Sequence, residues 1–323
     1  MDGSPARSIS VVVPTHNRSE RLPALLDALA PQESEVVVVA NACTDDTVAA
    51  LERRAAADPR LVVLEREQAG QLGALQAGVE QAGGDVVLLL DDDVIAAPGL
   101  LAGHLAHHAA RPGLVVLGYM PIALPPRRRA GEFPLDLYAR EYEKACDRYE
   151  SDSATVLAGL WGGNVSLRRE DALRVGLVPT EALLEGYGYH EDQDFGLRCA
   201  AAGLAGVFDR ALLAEHRYER SPDSFLAAAR NSGATRFALY QRYGDEQPLT
   251  PDHYEQTAPF PGKLLVRWAR RRGARSLIQG FLKGVIAVAG ALHLFRLESH
   301  AGFLLGTVEQ QRGAFDARNQ AQR

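Results

Sequence analysis

Apolar positions in the first ninety residues alternate between two textures. Short unbroken runs, "ISVVVP" from Ile9, "EVVVVA" from Glu35, "LVVLE" from Leu61 and "GGDVVLLLDDD" from Gly83, are apolar throughout and end in polar turn chemistry. Between them, apolar residues recur at helical spacing: Leu22, Leu25, Leu26 and Leu29 behind a cap at Ser19; Val48 and Leu51 behind Thr44 or Asp45; Leu72, Leu75 and Val79. Strands so continuously apolar are buried on both faces. Their alternation with helices predicts an α/β fold, Rossmann-like, with a doubly wound, mainly parallel sheet. Such sheets bind ligands beyond the carboxyl ends of their strands. "PTHNR", "ANACTDD" and "DDD" all stand at such ends, so they are expected to converge.

The texture then changes. "PPRRRAGEFP" is expected to be an exposed loop, and "LYAREYEKACDRYE" behind it a helix. Beyond about Arg220 the pattern is helical and rich in arginine, which predicts two domains, 1–220 and 221–323, the second a helical extension. Within "LLVRWARRRGARSLIQGFLKGVIAVAGALHLF" the apolar run after Lys283 is about twelve residues, short of the roughly twenty that a membrane span requires. Two readings stay open: a buried helix, or an interfacial helix with its arginines on phospholipid.

Charge and cysteine content narrow the classes. The formal charge of −6 over 323 residues argues against nucleic acid as a partner. Cys43, Cys146 and Cys199 have no CxxC spacing, which fits reduced thiols. The opening "MDGSPARSIS" lacks the apolar core of a signal peptide. A cytoplasmic protein is expected, peripheral at the inner face of the membrane if residues 263–297 form the interfacial helix.

Three adjacent carboxylates, Asp91, Asp92 and Asp93, follow a buried strand. If the chain stays extended, Asp91 and Asp93 share one face. That pair would suit Mg²⁺ or Mn²⁺, with further ligands from water and substrate phosphates; a solvated acidic turn is the alternative. In "EGYGYHEDQDFGLRCAAAG" the acidic residues serve either as a helix cap or as a general base. In "LWGGNVSLRRE" the glycines allow close backbone approach to a ligand, and a plain turn explains them too. His104, His107 and His108 read as a polar helix face. No GxGxxG follows the first strand, which speaks against a nicotinamide site.

Taken in order, "VVVPTHNR", "VVVVANACTDDT", "AGQLGALQAG", "LLLDDDV", "GGNVSLRRE" and "HEDQDFGLR" resemble the family 2 glycosyltransferases, which have the GT-A fold, over roughly residues 8–220. The resemblance implies a nucleotide-sugar donor, Mn²⁺ or Mg²⁺, and transfer with inversion. By position, Pro14, Thr15 and His16 would line the nucleotide pocket, with Asn41 near the base and Gln71 near the diphosphate. Asp91 and Asp92 would approach ribose and diphosphate, and Asp93 would hold the metal, with His216 as a second ligand. Gly163 and Asn164 would face the donor sugar. Asp192 would be the catalytic base, with Glu191 beside it as a nucleotide-sugar-binding residue. Ala40 stands where the family commonly has an aspartate that reads the base, so UDP is the first expectation and dTDP or GDP the alternatives. Gln71 replaces a basic residue. The acceptor is a small molecule, a glycan or a lipid-linked hydroxyl. A sugar-nucleotide pyrophosphorylase and a non-catalytic relative are the competing readings.

Overall fold

The structure, a computed structural model, describes residues 6–179, 189–244, 258 and 260–322. The Gly- and Tyr-rich stretch ahead of Tyr189 and the opening residues 1–5 lie outside the described residues.

The predicted strands form: β1 (Ile9–Thr15), β2 (Glu35–Asn41), β3 (Leu61–Arg66) and β4 (Val86–Leu90). They pair in parallel in the order β3-β2-β1-β4. Every residue of β1 and β4 is buried, as strands covered on both faces must be. The sheet continues through β7 (Asn164–Arg168), β6 (Leu114–Tyr119), β8 (Ala205–His216) and β5 (Val94–Ala96), for eight strands. β7 runs antiparallel to both β4 and β6, and β5 antiparallel to β8, so this second half is mixed.

Helices α1 (Leu22–Leu29), α2 (Thr47–Ala55), α3 (Gln71–Gln81) and α4 (Leu100–Ala110) connect the strands. All four leucines predicted for the inner face of α1 are buried. Ser19 does not cap it. The helix starts later, behind Arg21 and with Pro23 in its first turn, and the Ser19 hydroxyl donates to Asp45 instead. Asp45 in turn accepts the Thr47 amide at 3.0 Å, at the start of α2.

The described residues fall into two compact units. One is drawn from Met1–Ala123, Tyr142–Thr180 and Asp192–Arg217, and the other from Leu124–Glu141, Glu181–Glu191 and Tyr218–Arg323. The first holds the sheet, together with α6 (Ala154–Ala158), α7 (Arg169–Val175) and most of α8 (Glu191–Ala201). Helix α5 (Phe133–Ser151) contributes to both.

The second unit is helical: α9 (Pro222–Tyr243), α10 (Gly262–Trp268), α11 (Arg272–Ala291) and α12 (Phe295–Ala321). Val266, Ile278, Leu282, Leu305 and Val308 build its core. Helices α9 and α12 meet backbone to backbone at two glycines. A Cβ on Gly233 would lie 1.8 Å from the Gln310 carbonyl oxygen, and one on Gly313 would lie 1.9 Å from that of Arg230. The "PPRRRAGEFP" segment is less exposed than expected. Arg128 donates to Asp136 at 3.1 Å, to Glu298 at 3.1 Å and to Ser299 at 2.8 Å, and the Gly131 amide donates to the same buried glutamate at 2.7 Å.

Candidate active site

The carboxyl ends of β1, β2 and β4 deliver the predicted polar clusters to one place. Pro14 and Thr15 close β1 and are buried, while His16 is exposed just beyond. The His16 Nδ1–H donates to the Asn41 carbonyl oxygen at 2.8 Å, which joins the ends of β1 and β2. The buried Asn41 side chain accepts from Arg66 at 3.3 Å.

β4 stops at Leu90, so the three aspartates occupy a turn and not an extended strand. Alternation of faces therefore does not apply, and each carboxylate finds its own surroundings. Asp92 accepts from the Thr15 hydroxyl at 2.7 Å and lies 3.8 Å from the Arg18 guanidinium. Asp91 accepts from the Gln71 side chain at 3.3 Å. Asp93 lies 3.2 Å from His216 Nε2, and its carbonyl accepts the Arg217 amide at 2.7 Å.

This crowding of acid shows in the proton affinities. Burial, then the neighbouring Asp93 charge, pushes Asp91 up to about 7. Burial also raises Asp92, against the Thr15 hydrogen bond. Burial works to raise Asp93 as well, but the hydrogen bond and charge of His216, helped by Arg18 and Arg21, outweigh it and hold the carboxyl below its ordinary value.

Asp192 comes from the first turn of α8, with Glu191 immediately before it. Its Oδ2 accepts the Gly162 amide at 2.7 Å and its Oδ1 accepts its neighbour Gln193's amide at 2.9 Å. Burial raises its pKa against these two bonds. Gly163, next along the chain, has φ +99°, and its carbonyl accepts the Asp91 amide at 3.1 Å. A Cβ at Gly163 would lie 2.4 Å from Asp91 Oδ2. Two adjacent glycines thus bring the two aspartates together, the Gly162 amide on the Asp192 carboxylate and the Gly163 carbonyl on the Asp91 main-chain amide.

Asn164 is placed differently. It is fully buried, its side-chain nitrogen donating to the Leu212 carbonyl at 3.0 Å. Its oxygen then accepts from His104 Nε2 at 2.9 Å. Ser166 donates to His104 Nδ1 at 2.8 Å and accepts from His108 Nε2 at 2.8 Å. The polar helix face read from His104, His107 and His108 is thus mostly an interior network: His104 and His108 are buried, and only His107 reaches outward, to Asp209 at 2.9 Å. Partners on β7 bond both ring nitrogens of His104 and the Nε2 of His108, while His108 Nδ1 is buried without a hydrogen-bond partner among the described residues; the spacing along α4 could not reveal this.

A divalent cation fits this chemistry. Asp93 and His216 offer one oxygen and one nitrogen ligand, and Arg18 and Arg21 only partly offset the half-buried carboxylates of Asp91, Asp92 and Asp93. No three His, Cys, Asp or Glu side chains among the described residues enclose a metal by themselves. The remaining ligands would then be water and phosphate oxygens, as such ions prefer. Two residues of the site escaped the sequence reading. Gly162 was visible in "WGGN" but not its role as a donor to Asp192, and Arg18 was visible in "PTHNR" but not its approach to Asp92.

The sequence profile described as "Glycosyl transferase family 2" matches residues 10–172. The chain is 34% identical over 157 residues to the uncharacterized glycosyltransferase YfnE of Bacillus subtilis, 47% of this chain and 36% of that protein. It is 32% identical over 123 residues to the undecaprenyl-phosphate 4-deoxy-4-formamido-L-arabinose transferase of Yersinia pestis, 35% of this chain and 37% of that protein. The chain thus spans little more than a third of the length of these relatives. Among solved structures, the mannosyltransferase PcManGT from Pyrobaculum calidifontis, in complex with GDP-Man and Mn²⁺, aligns with a TM-score of 0.60 at 20% identity, covering 95% of this chain and 88% of that one. Glucosyl-3-phosphoglycerate synthase from Mycobacterium tuberculosis, in complex with Mn²⁺, UDP and phosphoglyceric acid, aligns at 0.50 and 22%, covering 74% and 79%. At these identities the structural likeness speaks for the fold.

Proposed function

The chain belongs to glycosyl transferase family 2 and has the GT-A fold, and from that premise we propose an inverting transfer in which Asp192 is the general base. The supporting observation is the pair of adjacent glycines: the Gly162 amide holds the Asp192 carboxylate, and the Gly163 carbonyl holds the backbone of Asp91, so Asp192 stands beside the aspartate cluster. A sugar hydroxyl is a poor nucleophile, so its proton must leave as the new carbon–oxygen bond forms. Asp192 takes that proton. Its two backbone donors fix its orientation, and burial makes it a stronger base than an exposed aspartate. Inversion needs no second carboxylate and no covalent intermediate.

The donor's nucleoside diphosphate lies along the ends of β1, β2 and β4. His16 and Asn41 flank the base, Thr15 orients Asp92 toward the ribose and diphosphate, and Gln71 stands by Asp91. Mn²⁺ or Mg²⁺ held by Asp93 and His216 would neutralise the negative charge that gathers on the departing diphosphate. UDP is the first candidate, and Ala40 leaves dTDP and GDP as the alternatives. The sheet-bearing region binds donor and performs the transfer, and the helices beyond Arg220 serve the acceptor or the membrane. A lipid-linked acceptor is favoured by the likeness to a transferase named for undecaprenyl phosphate.

The test is Asp192→Asn, followed by release of nucleoside diphosphate from the donor sugar. Turnover should fall roughly 10²- to 10⁴-fold, the usual contribution of a general base, while donor affinity stays within a small factor. A near-normal rate would overturn the role of Asp192, and formation of nucleotide sugar and pyrophosphate from sugar 1-phosphate and nucleoside triphosphate would establish a pyrophosphorylase.

A further inference from the structure

Helix α11 buries one side in the carboxy-terminal unit and leaves the other apolar and uncovered. Ile278 and Leu282 pack inward. Leu277, Phe281 and Val288 are 77%, 62% and 60% exposed. With Gly284 they follow one another at i, i+4, i+7 and i+11, a single line along the helix. A Cβ at Gly280 or Gly284 would meet nothing within 4 Å. These glycines floor an open groove of about 450 Å³, walled by Phe281, Val288, Leu294 and Leu297. On neighbouring α10, Trp268 is 67% exposed.

Charge selects the occupant. Between residues 258 and 297 there are eight Lys and Arg and no Asp or Glu, in a chain whose formal charge is −6. A buried interface would not gather this much cation around bare hydrocarbon. An anionic lipid surface accepts both at once, with acyl chains against the apolar line, tryptophan at the headgroup level and cations on phosphate. Among the described residues no helix is long and apolar enough to cross a membrane, which fits a helix that lies on the surface. We infer that the α10–α11 face docks on an anionic bilayer, with α11 in the interfacial plane and lipid hydrocarbon filling the Gly280/Gly284 groove. This binding needs neither donor nor catalysis, so it stands or falls apart from the transfer reaction.

Flotation of the full chain with phosphatidylcholine vesicles, with and without phosphatidylglycerol, tests it. Binding is expected only with phosphatidylglycerol and should weaken as salt is raised. Phe281→Ser/Val288→Ser should lower the partition coefficient at least about tenfold. Lys263→Gln/Lys283→Gln should lower it roughly 25-fold, about fivefold per lysine. All four side chains are exposed, so thermal unfolding should be unchanged and a loss of binding is not a loss of fold. Absence of binding to anionic vesicles, or unaltered binding of both variants, overturns the inference. So does a wild-type dimer that Phe281→Ser/Val288→Ser makes monomeric, because a second copy would then cover the face.

Discussion

Asp93 and His216 are brought within 3.2 Å by backbone register. Val94 pairs with His216 across β5 and β8, and the Arg217 amide closes on the Asp93 carbonyl. Asp93 stands in the turn one residue before β5, so this strand pairing places it. If the pair holds a cation that meets the donor's diphosphate, Asp93→Ala and His216→Ala should share one phenotype. Calorimetric titration of UDP, dTDP and GDP should show one nucleotide binding tightly with Mn²⁺. Either variant should weaken that binding at least roughly tenfold, about 1.4 kcal/mol, and leave metal-free binding unchanged. Equal losses with and without Mn²⁺ would mean the pair is structural.

Gly163 should tolerate no side chain. Its positive φ and the closeness of Asp91 act together, so Gly163→Ala should destabilise the fold by about 2 kcal/mol or more and displace the Asp91 carboxylate. Gly162→Ala meets the Asp192 side chain first, at 3.3 Å, and should be milder. Urea unfolding of the two variants side by side gives the comparison; equal stabilities would contradict it.

Acid should loosen the interior around α4. Burial lowers His104 to about 3 and His108 to about 4. His107 and Arg168 oppose a further positive charge nearby, while Asp171 and Asp209 only partly favour it. The unfolded chain, with histidines near 6.5, binds these protons more readily than the folded one. The stability that the neutral rings contribute is therefore complete above about pH 6.5 and is lost as pH falls toward 4 and then 3. The slope approaches about 1.4 kcal/mol per pH unit for each ring. Unfolding free energies across this window check it, and His108→Leu should flatten the curve.

Arg128 holds a buried charge. Glu298 is 1% exposed, and Arg128→Ala would leave it the Gly131 amide as its remaining described partner. A loss of roughly 3 kcal/mol is expected, at the lower end for a broken buried pair. Arg128→Met/Glu298→Leu should recover much of it, because no uncompensated charge is then left. Thermal unfolding of the single and double variants decides the matter.

The parts of this fold that could be read from the chain are those where one residue run carries the whole signal. Val11 to Val13, Val36 to Val39 and Val86 to Leu90 are buried on both faces, so each announces a central strand without reference to anything distant. β5 is three residues long and carries no pattern; only its pairing with β8 makes it a strand. The site divides the same way. The aspartate run and the Glu191–Asp192 pair stand out locally. The Gly162 bond to Asp192 and the Ser166 link between His104 and His108 join segments far apart in sequence, and no local window contains both partners. Asn164 lies on that boundary: it was legible as a polar residue beside glycines, but its inward hydrogen bonds were not.

The glycine contacts between α9 and α12 carry a mechanical consequence. With Gly233 against the Gln310 carbonyl and Gly313 against that of Arg230, the two backbones have no side-chain layer between them to yield. A slip by one turn would bring Phe237 to the place of Gly233, where there is room for hydrogen alone. The pair therefore has a single register and cannot ratchet. A push delivered at one end of α9 is passed along as the displacement of a rigid double rod and is not absorbed as sliding.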